Sequence, residues 1–168
     1  MPNSFAPKSA LALFATPDPE YQTRVDAADQ AAKAFLARWV EQAKDGDLVI
    51  GEDIPSRAFA RYLANLMIVE PIEEGRDCLI RLAGSLVRRR YGREVSGERL
   101  SALFSPAAFK QNLARMQAVC GTGIPVILAG TVPQDDAPPL QFDAIILRAW
   151  APKKDAMWNV VGIFVHAG

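Results

Sequence analysis

Hydrophobic residues near the N-terminus repeat with the period of a helix. Between residues 26 and 44 they form two adjacent columns, made of Phe35, Trp39 and Ala43 and of Leu36 and Val40. This spacing places them on one face of an amphipathic helix, and Gly46 follows as a helix terminator. Four prolines among residues 1–22 disfavour regular structure there. The pattern predicts a flexible tail over 1–22 and an N-terminal helix over 23–46.

From residue 47 onward the apolar residues occur in short runs separated by turn-forming residues. These runs predict five strands, at residues 66–69, 78–83, 124–132, 140–150 and 158–167. Gly75 fits the turn of a first hairpin, and the connectors between the last three strands are polar and contain proline. The order of the runs therefore predicts an antiparallel sheet.

A helical period separates the second strand from the third. Ser105 is suited to cap a helix whose first position is Pro106. The expected buried stripe of this helix is Phe109, Leu113, Met116 and Cys120. The sequence thus predicts one α+β domain over residues 47–168, with a cavity between the sheet and the helices.

Charge and cysteine content narrow the classes of function. Nineteen basic residues balance nineteen acidic ones, so no overall field favours nucleic acid. The apolar runs are too short for a membrane span, and we expect a cytoplasmic chain. Cys78 and Cys120 stand far apart without metal-ligand spacing, which predicts two free buried thiols and no metal site.

Two segments of the sequence resemble a bacterial PAS-like family. Arg81–Ser85 reads RLAGS, and Tyr91–Leu100 reads YGREVSGERL. Trp39, the Asp53–Pro55 segment and Gly123–Val126 add to the resemblance, which covers roughly residues 35 to 167. It implies a PAS-like fold, with a five-stranded antiparallel sheet, helices over one face and an N-terminal helical extension. It gives a scaffold and leaves the ligand open, because one fold hosts many functions.

The sequence gives little support for a bound cofactor or for an enzymatic site. Haem-binding PAS domains commonly use a histidine on the helix before the third strand, and residues 105–121 contain none. The Asn-Cys pair of flavin photosensors is also missing, so we expect no cofactor. His166 is read as a satisfied or exposed histidine at a strand end. Asp143 can be a desolvated general base, as in small cone-shaped isomerases, but alternation favours a solvent-facing position shared with Gln141.

Five arginines and no acidic residue lie between residues 81 and 93. On a helical wheel, Arg90 falls near the apolar side, whereas Arg88 and Arg89 point away from it. The Arg90 stem can cover the core with its head in water, or its head can pair with a carboxylate. Alternatively, Arg90 lines the mouth of the cavity and binds an acidic ligand group.

We therefore predict a sensory, ligand-binding or adaptor domain without an active site. The predicted ligand-binding residues are Leu86, Arg90, Tyr91, Phe109, Met116, Cys120 and Trp150. The expected partners are a small acidic or apolar metabolite, a separate signalling protein, and a second copy through the N-terminal helix, with neither nucleic acid nor membrane. The alternatives are a ligand-free interaction or dimerisation module and, more distantly, a small cone-shaped α+β enzyme.

Overall fold

The computed structural model describes residues 18–166 of the chain. Residues 1–17, which form most of the predicted tail, lie outside this range. Six strands and three α-helices follow one another within the described range. Their bounds are β1 Glu20–Arg24, α1 Gln30–Gln42, β2 Leu66–Ile72, β3 Asp77–Ala83, α2 Ser85–Tyr91, α3 Pro106–Thr122, β4 Val126–Gln134, β5 Ala137–Trp150 and β6 Met157–Val165, with a 3-10 helix at Arg57–Asn65 before β2.

The strands form one antiparallel sheet in the order β1-β4-β5-β6-β2-β3. The prediction of an α+β antiparallel sheet is confirmed, but the predicted number of five strands is wrong. The additional strand is β1, which pairs with β4 at the edge and begins inside the predicted tail. Four of its five residues are exposed, so main-chain hydrogen bonds hold it without the apolar alternation that marks a strand in a sequence.

Helices cover both faces of this sheet, which corrects the expectation of helices over one face. The helix α1 begins after the cap residue Asp29 and packs with the 3-10 helix on the face opposite α2 and α3. Its Phe35 is fully buried, with ring centroids 5.4 Å from those of Tyr62 and Phe164. Phe35 and Trp39 of the first apolar column are therefore buried within the domain, whereas Val40 of the second column is 58% exposed, and association with a second copy stays a prediction.

The helix α3 closes the other face, and its buried stripe differs from the predicted one. Its buried residues are Asn112, Met116 and Val119, whereas Phe109, Leu113 and Cys120 are only partly buried. The reason is a polar contact with the sheet. The buried Asn159 of β6 donates hydrogen bonds to the carbonyls of Met116 and Leu147, both at 3.3 Å. This contact turns the 112–116–119 face of α3 towards the sheet.

Asp143 on β5 is buried, with 1% of its surface exposed, so its predicted solvent-facing position is wrong. The start of α1 lies over this part of the sheet and covers the side chain. One carboxylate oxygen accepts hydrogen bonds from the backbone N–H groups of Ala28 and Asp29, at 2.9 and 2.7 Å. Gln141, two residues earlier, remains exposed. Among the described helices, none has the length and apolar character required to cross a bilayer.

Candidate functional site

The inner cavity, between the sheet and α3, is nearly filled. Its volume is about 40 Å³, and Tyr91 and Met116 are among its lining residues. Pockets that hold small metabolites measure roughly 300–1,000 Å³. The inner cavity therefore has no room for a metabolite in this structure.

Aromatic side chains account for this filling. The ring of Phe142 lies against Gly130, where a Cβ atom would be 2.2 Å from the ring. Tyr21 of β1 packs edge-on against Phe142, with ring centroids 5.9 Å apart. Burial raises the pKa of the Tyr91 hydroxyl well above its ordinary value, and the nearby Tyr21 raises it further. The inner cavity is thus a packed core in which the tyrosine hydroxyls stay protonated.

A larger cavity opens where α2, the end of β6 and the start of α1 meet, and we call it the Arg90 cavity. Its volume is about 370 Å³, which is sufficient for a small metabolite. The apolar part of its wall includes Leu86, Val87, Ile163 and Phe164. The polar and charged part consists of Asp29, Asn65, Arg90 and His166. Apolar walls with a few convergent polar groups are typical of ligand sites.

Arg90 is half-buried at this cavity, whereas Arg88 and Arg89 are exposed. Burial lowers the pKa of the Arg90 guanidinium, and the neighbouring charge of Arg89 lowers it further. Within the described residues Arg90 has neither an ion pair nor a hydrogen bond. Arg88, by contrast, lies 3.3 Å from the carboxylate of Glu94. Arg90 therefore presents an uncompensated positive charge to the cavity.

Asp29 lines the same cavity and Asp143 lies beside His166, and both carboxylates accept hydrogen bonds from the start of α1. Asp29 caps α1 by accepting a hydrogen bond from the N–H of Ala32 at 3.1 Å. Asp143 accepts the N–H groups of Ala28 and Asp29, which lie immediately before the helix. The helix N-terminus carries a partial positive charge, which offsets these negative charges. The electrostatic potential at these two carboxylates is consequently less negative than their charges alone imply.

His166 completes the polar wall of the Arg90 cavity. Its Nε2 atom lies 3.1 Å from the second carboxylate oxygen of Asp143, without the alignment of a hydrogen bond. Its backbone N–H donates to the carbonyl of Gln141 at 2.9 Å, which fixes the end of β6 against β5. The imidazole is thus held beside the carboxylate that anchors α1.

The structure divides the seven predicted ligand-binding residues among different places. Leu86 and Arg90 line the Arg90 cavity, and Tyr91 and Met116 line the inner cavity. The remaining three, Phe109, Cys120 and Trp150, line neither. Phe109 packs beside the core and Trp150 ends β5. The Cys120 thiol lies 3.4 Å from the side-chain oxygen of Asn159, and both cysteines are free in the described chain.

Three polar residues of the Arg90 cavity were not predicted as site residues, namely Asp29, Asn65 and His166. An aspartate immediately before an amphipathic pattern is a helix-cap signal, so Asp29 was recognisable as the start of α1. Asn65 ends the 3-10 helix and donates to the carbonyl of Ile163 at 2.9 Å. No sequence spacing indicates this long-range contact, and the same holds for the position of His166 beside Asp143.

A second, more apolar groove of about 540 Å³ runs along β2 and β3 beside the 3-10 helix. Leu82 and Trp158 are lining residues, and Leu82 is 43% exposed. The guanidinium of Arg81 lies over the Trp158 ring, 5.5 Å from its centroid. We call this surface the Leu82 groove.

Comparison with known proteins gives one family match. The model of the PAS domain family matches residues 27–165, a span that includes all three α-helices of the described chain. No curated protein and no solved structure matches the chain. PAS domains are in general sensory and interaction modules, and no cluster of metal-ligating side chains occurs among residues 18–166. Because the match covers most of its length, the chain belongs to the PAS domain family.

Proposed function

We propose that this chain is a sensory module that binds a small acidic molecule in the Arg90 cavity. The observation that carries the proposal is Arg90 itself, a half-buried cation without a partner in the described chain, at a cavity of about 370 Å³. A charged group that is partly removed from water and left unpaired is unfavourable, so a bound anion that pairs with it is favoured. The nearly filled inner cavity leaves this outer position as the better supported site.

The walls of the cavity define the kind of molecule that fits. A carboxylate or phosphate can accept two N–H groups from the Arg90 guanidinium. Leu86, Val87 and Phe164 provide an apolar surface for the rest of the molecule. The ligand is therefore a compact acid with an apolar portion, and its acidic group accounts for most of the specificity.

The signal is proposed to leave through α1 to a separate protein. Asp29, the cap residue of α1, lines the same cavity as Arg90. A ligand in this cavity thus contacts the first turn of the helix that covers the opposite face of the sheet. A ligand that binds more tightly when α1 is in one position shifts the equilibrium towards that position, by an amount set by the difference in its affinity for the two positions.

The test begins with a thermal-shift screen of carboxylates, nucleotides and phosphorylated metabolites, in which binding raises the melting temperature. Arg90→Ala should weaken binding of a hit by about 1.5–3 kcal/mol, or roughly 10- to 150-fold in Kd. Arg89→Ala is the matched control, because it removes the same charge from an exposed neighbour. Equal losses from the two variants, or no hit that depends on Arg90, would contradict the proposal.

The alternative function is that of a ligand-free interaction module. The Leu82 groove favours it, since an exposed apolar groove of this size is typical of a protein contact. Leu82→Lys should then abolish association with a partner or second copy, while the melting temperature stays close to that of the unmodified chain. Sedimentation velocity of the two proteins distinguishes self-association from a monomer.

A further inference from the structure

His166 separates two cavities and contacts a buried carboxylate. On one side is the Arg90 cavity, and on the other is a polar cavity of about 610 Å³ next to β1 and β4. The charged groups around the imidazole are Asp29, Arg90, Glu20, Arg24, Asp26 and Asp143. The side chain is 26% exposed, so it exchanges protons with solvent while it remains in contact with Asp143.

Asp143 links this histidine to the start of α1. One oxygen of the carboxylate accepts the N–H groups of Ala28 and Asp29, and the other lies 3.1 Å from Nε2 of His166. The carboxylate is almost completely buried, so any change in the charge beside it is weakly screened. The state of His166 therefore influences how strongly Asp143 holds the residues at which α1 begins.

We propose that an acidic ligand in the Arg90 cavity binds together with one proton, which His166 takes up from solvent, and that the imidazolium then donates to the second oxygen of Asp143 and so fixes the carboxylate that holds the start of α1. This inference rests on the proposed function, because it requires an anion beside Arg90. It adds the sign of the response: ligand and acidity act in the same direction on α1. The bound ligand, the imidazolium, the Asp143 carboxylate and the α1 N–H groups then form one chain of alternating charge.

The chemistry of imidazole supports this coupling. A neutral histidine has one N–H, whereas the protonated ring has two and donates to partners on both sides. A bound anion adds negative charge beside the imidazole, which favours the protonated form. The same anion offsets the positive charge of Arg90, which lines the cavity together with His166. Ligand binding and proton binding are therefore mutually favourable, and the coupling is reciprocal.

The sequence contains a single histidine, which makes the proton directly observable. We would record the imidazole nitrogen shifts of the ¹⁵N-labelled full chain while adding sulfate, at an ionic strength matched with sodium chloride. Sulfate is a suitable probe because it stays doubly charged throughout the range in which histidine titrates. At constant pH, sulfate should increase the protonated fraction of His166 and slow the exchange of the Ala28 and Asp29 amide protons.

Three variants separate the steps of the coupling. Arg90→Ala should abolish both responses, and Arg89→Ala should retain them. In the unmodified chain the affinity for sulfate should fall as pH rises, by at most about tenfold per pH unit, which is the limit for uptake of one proton. His166→Gln should bind sulfate with an affinity that does not change with pH.

The possible results distinguish this inference from the proposed function. Binding that requires Arg90 but leaves the protonation of His166 unchanged overturns the coupling and leaves the anion site standing. Protonation that increases without slower exchange at Ala28 and Asp29 overturns the link to α1. The absence of any Arg90-dependent response to sulfate overturns the coupling and the proposed anion site together.

Discussion

Removal of the Asp143 side chain is expected to destabilise the chain and to release the start of α1. The carboxylate accepts hydrogen bonds of 2.9 and 2.7 Å from two N–H groups that lie before the first turn of the helix. These bonds join residues that are more than 100 positions apart in the chain. In Asp143→Ala both donors lose this partner, and α1 keeps only its apolar contacts with the sheet.

The size of the effect follows from the two bonds and from the exposure of their donors. Hydrogen bonds to a charged acceptor contribute about 1.5–3 kcal/mol each, so their sum is about 3–6 kcal/mol. Ala28 is exposed and Asp29 half-buried, so water replaces part of what is lost. Relief of the desolvation of a buried carboxylate reduces the loss further. We therefore expect the free energy of unfolding to fall by about 2–4 kcal/mol in Asp143→Ala and by about half as much in Asp143→Asn, which keeps an acceptor oxygen.

Urea unfolding measures the loss of stability, and amide exchange locates it. The exposed Asp135 serves as a matched control, and Asp135→Ala should change stability by no more than about 0.5 kcal/mol. Exchange should accelerate first at the N-terminal turn of α1 in Asp143→Ala. If Asp143→Ala were as stable as Asp135→Ala, the carboxylate would not anchor α1. Equal losses in the alanine and asparagine variants would show that the charge matters and the hydrogen bonds do not.

Two further predictions concern the packed side of the sheet. Gly130→Ala should lower the free energy of unfolding by about 1–3 kcal/mol, because the new Cβ would meet the Phe142 ring. Gly121→Ala in α3 has open space and should be neutral or stabilising, and urea unfolding compares the two. Burial, followed by the charge of Asp77, raises the pKa of Cys78 from 9.0 to about 12. The thiol of the unfolded chain ionises first as pH rises, so the free energy of unfolding should decline above about pH 9, and it should decline less steeply in Cys78→Ala. Urea unfolding at about pH 8 and about pH 10 measures this decline, and an equal decline in the two proteins would contradict the prediction.

Much of the fold was predictable because local patterns and tertiary packing agree. Ser105 accepts a hydrogen bond from the N–H of Ala108, as its place before Pro106 predicts. The predicted runs at 66–69 and 78–83 lie within β2 and β3. Where the prediction failed, a polar contact across the chain decided the outcome. Asn159 rotates the buried face of α3, and β1 is held by main-chain bonds that leave no apolar signature.

The candidate site was only partly predictable for a related reason. The helical wheel indicated correctly which arginine of the 88–90 cluster lies towards the apolar side, because that depends on local geometry alone. The alternation rule failed at Asp143, since it assumes that one face of a strand meets solvent. Once α1 covers that face, a charged residue can be buried there if backbone donors satisfy it. The burial of Asp143 is therefore a consequence of where α1 docks, which local spacing does not specify.

The entry to α2 and the wall of the Arg90 cavity are formed by neighbouring residues of the chain. Gly84, in the RLAGS segment, allows the chain to pass close to the 3-10 helix, since a Cβ there would lie 2.2 Å from the carbonyl oxygen of Leu63. Its N–H donates to the carbonyl of Leu66 at 2.8 Å, which fixes where α2 begins. Leu86 and Arg90, which face the cavity, lie between this segment and the second one that starts at Tyr91. Gly84 thus sets where α2 begins, and Leu86 and Arg90 follow it at the wall of the cavity, so the proposed ligand is best sought through variants of Arg90.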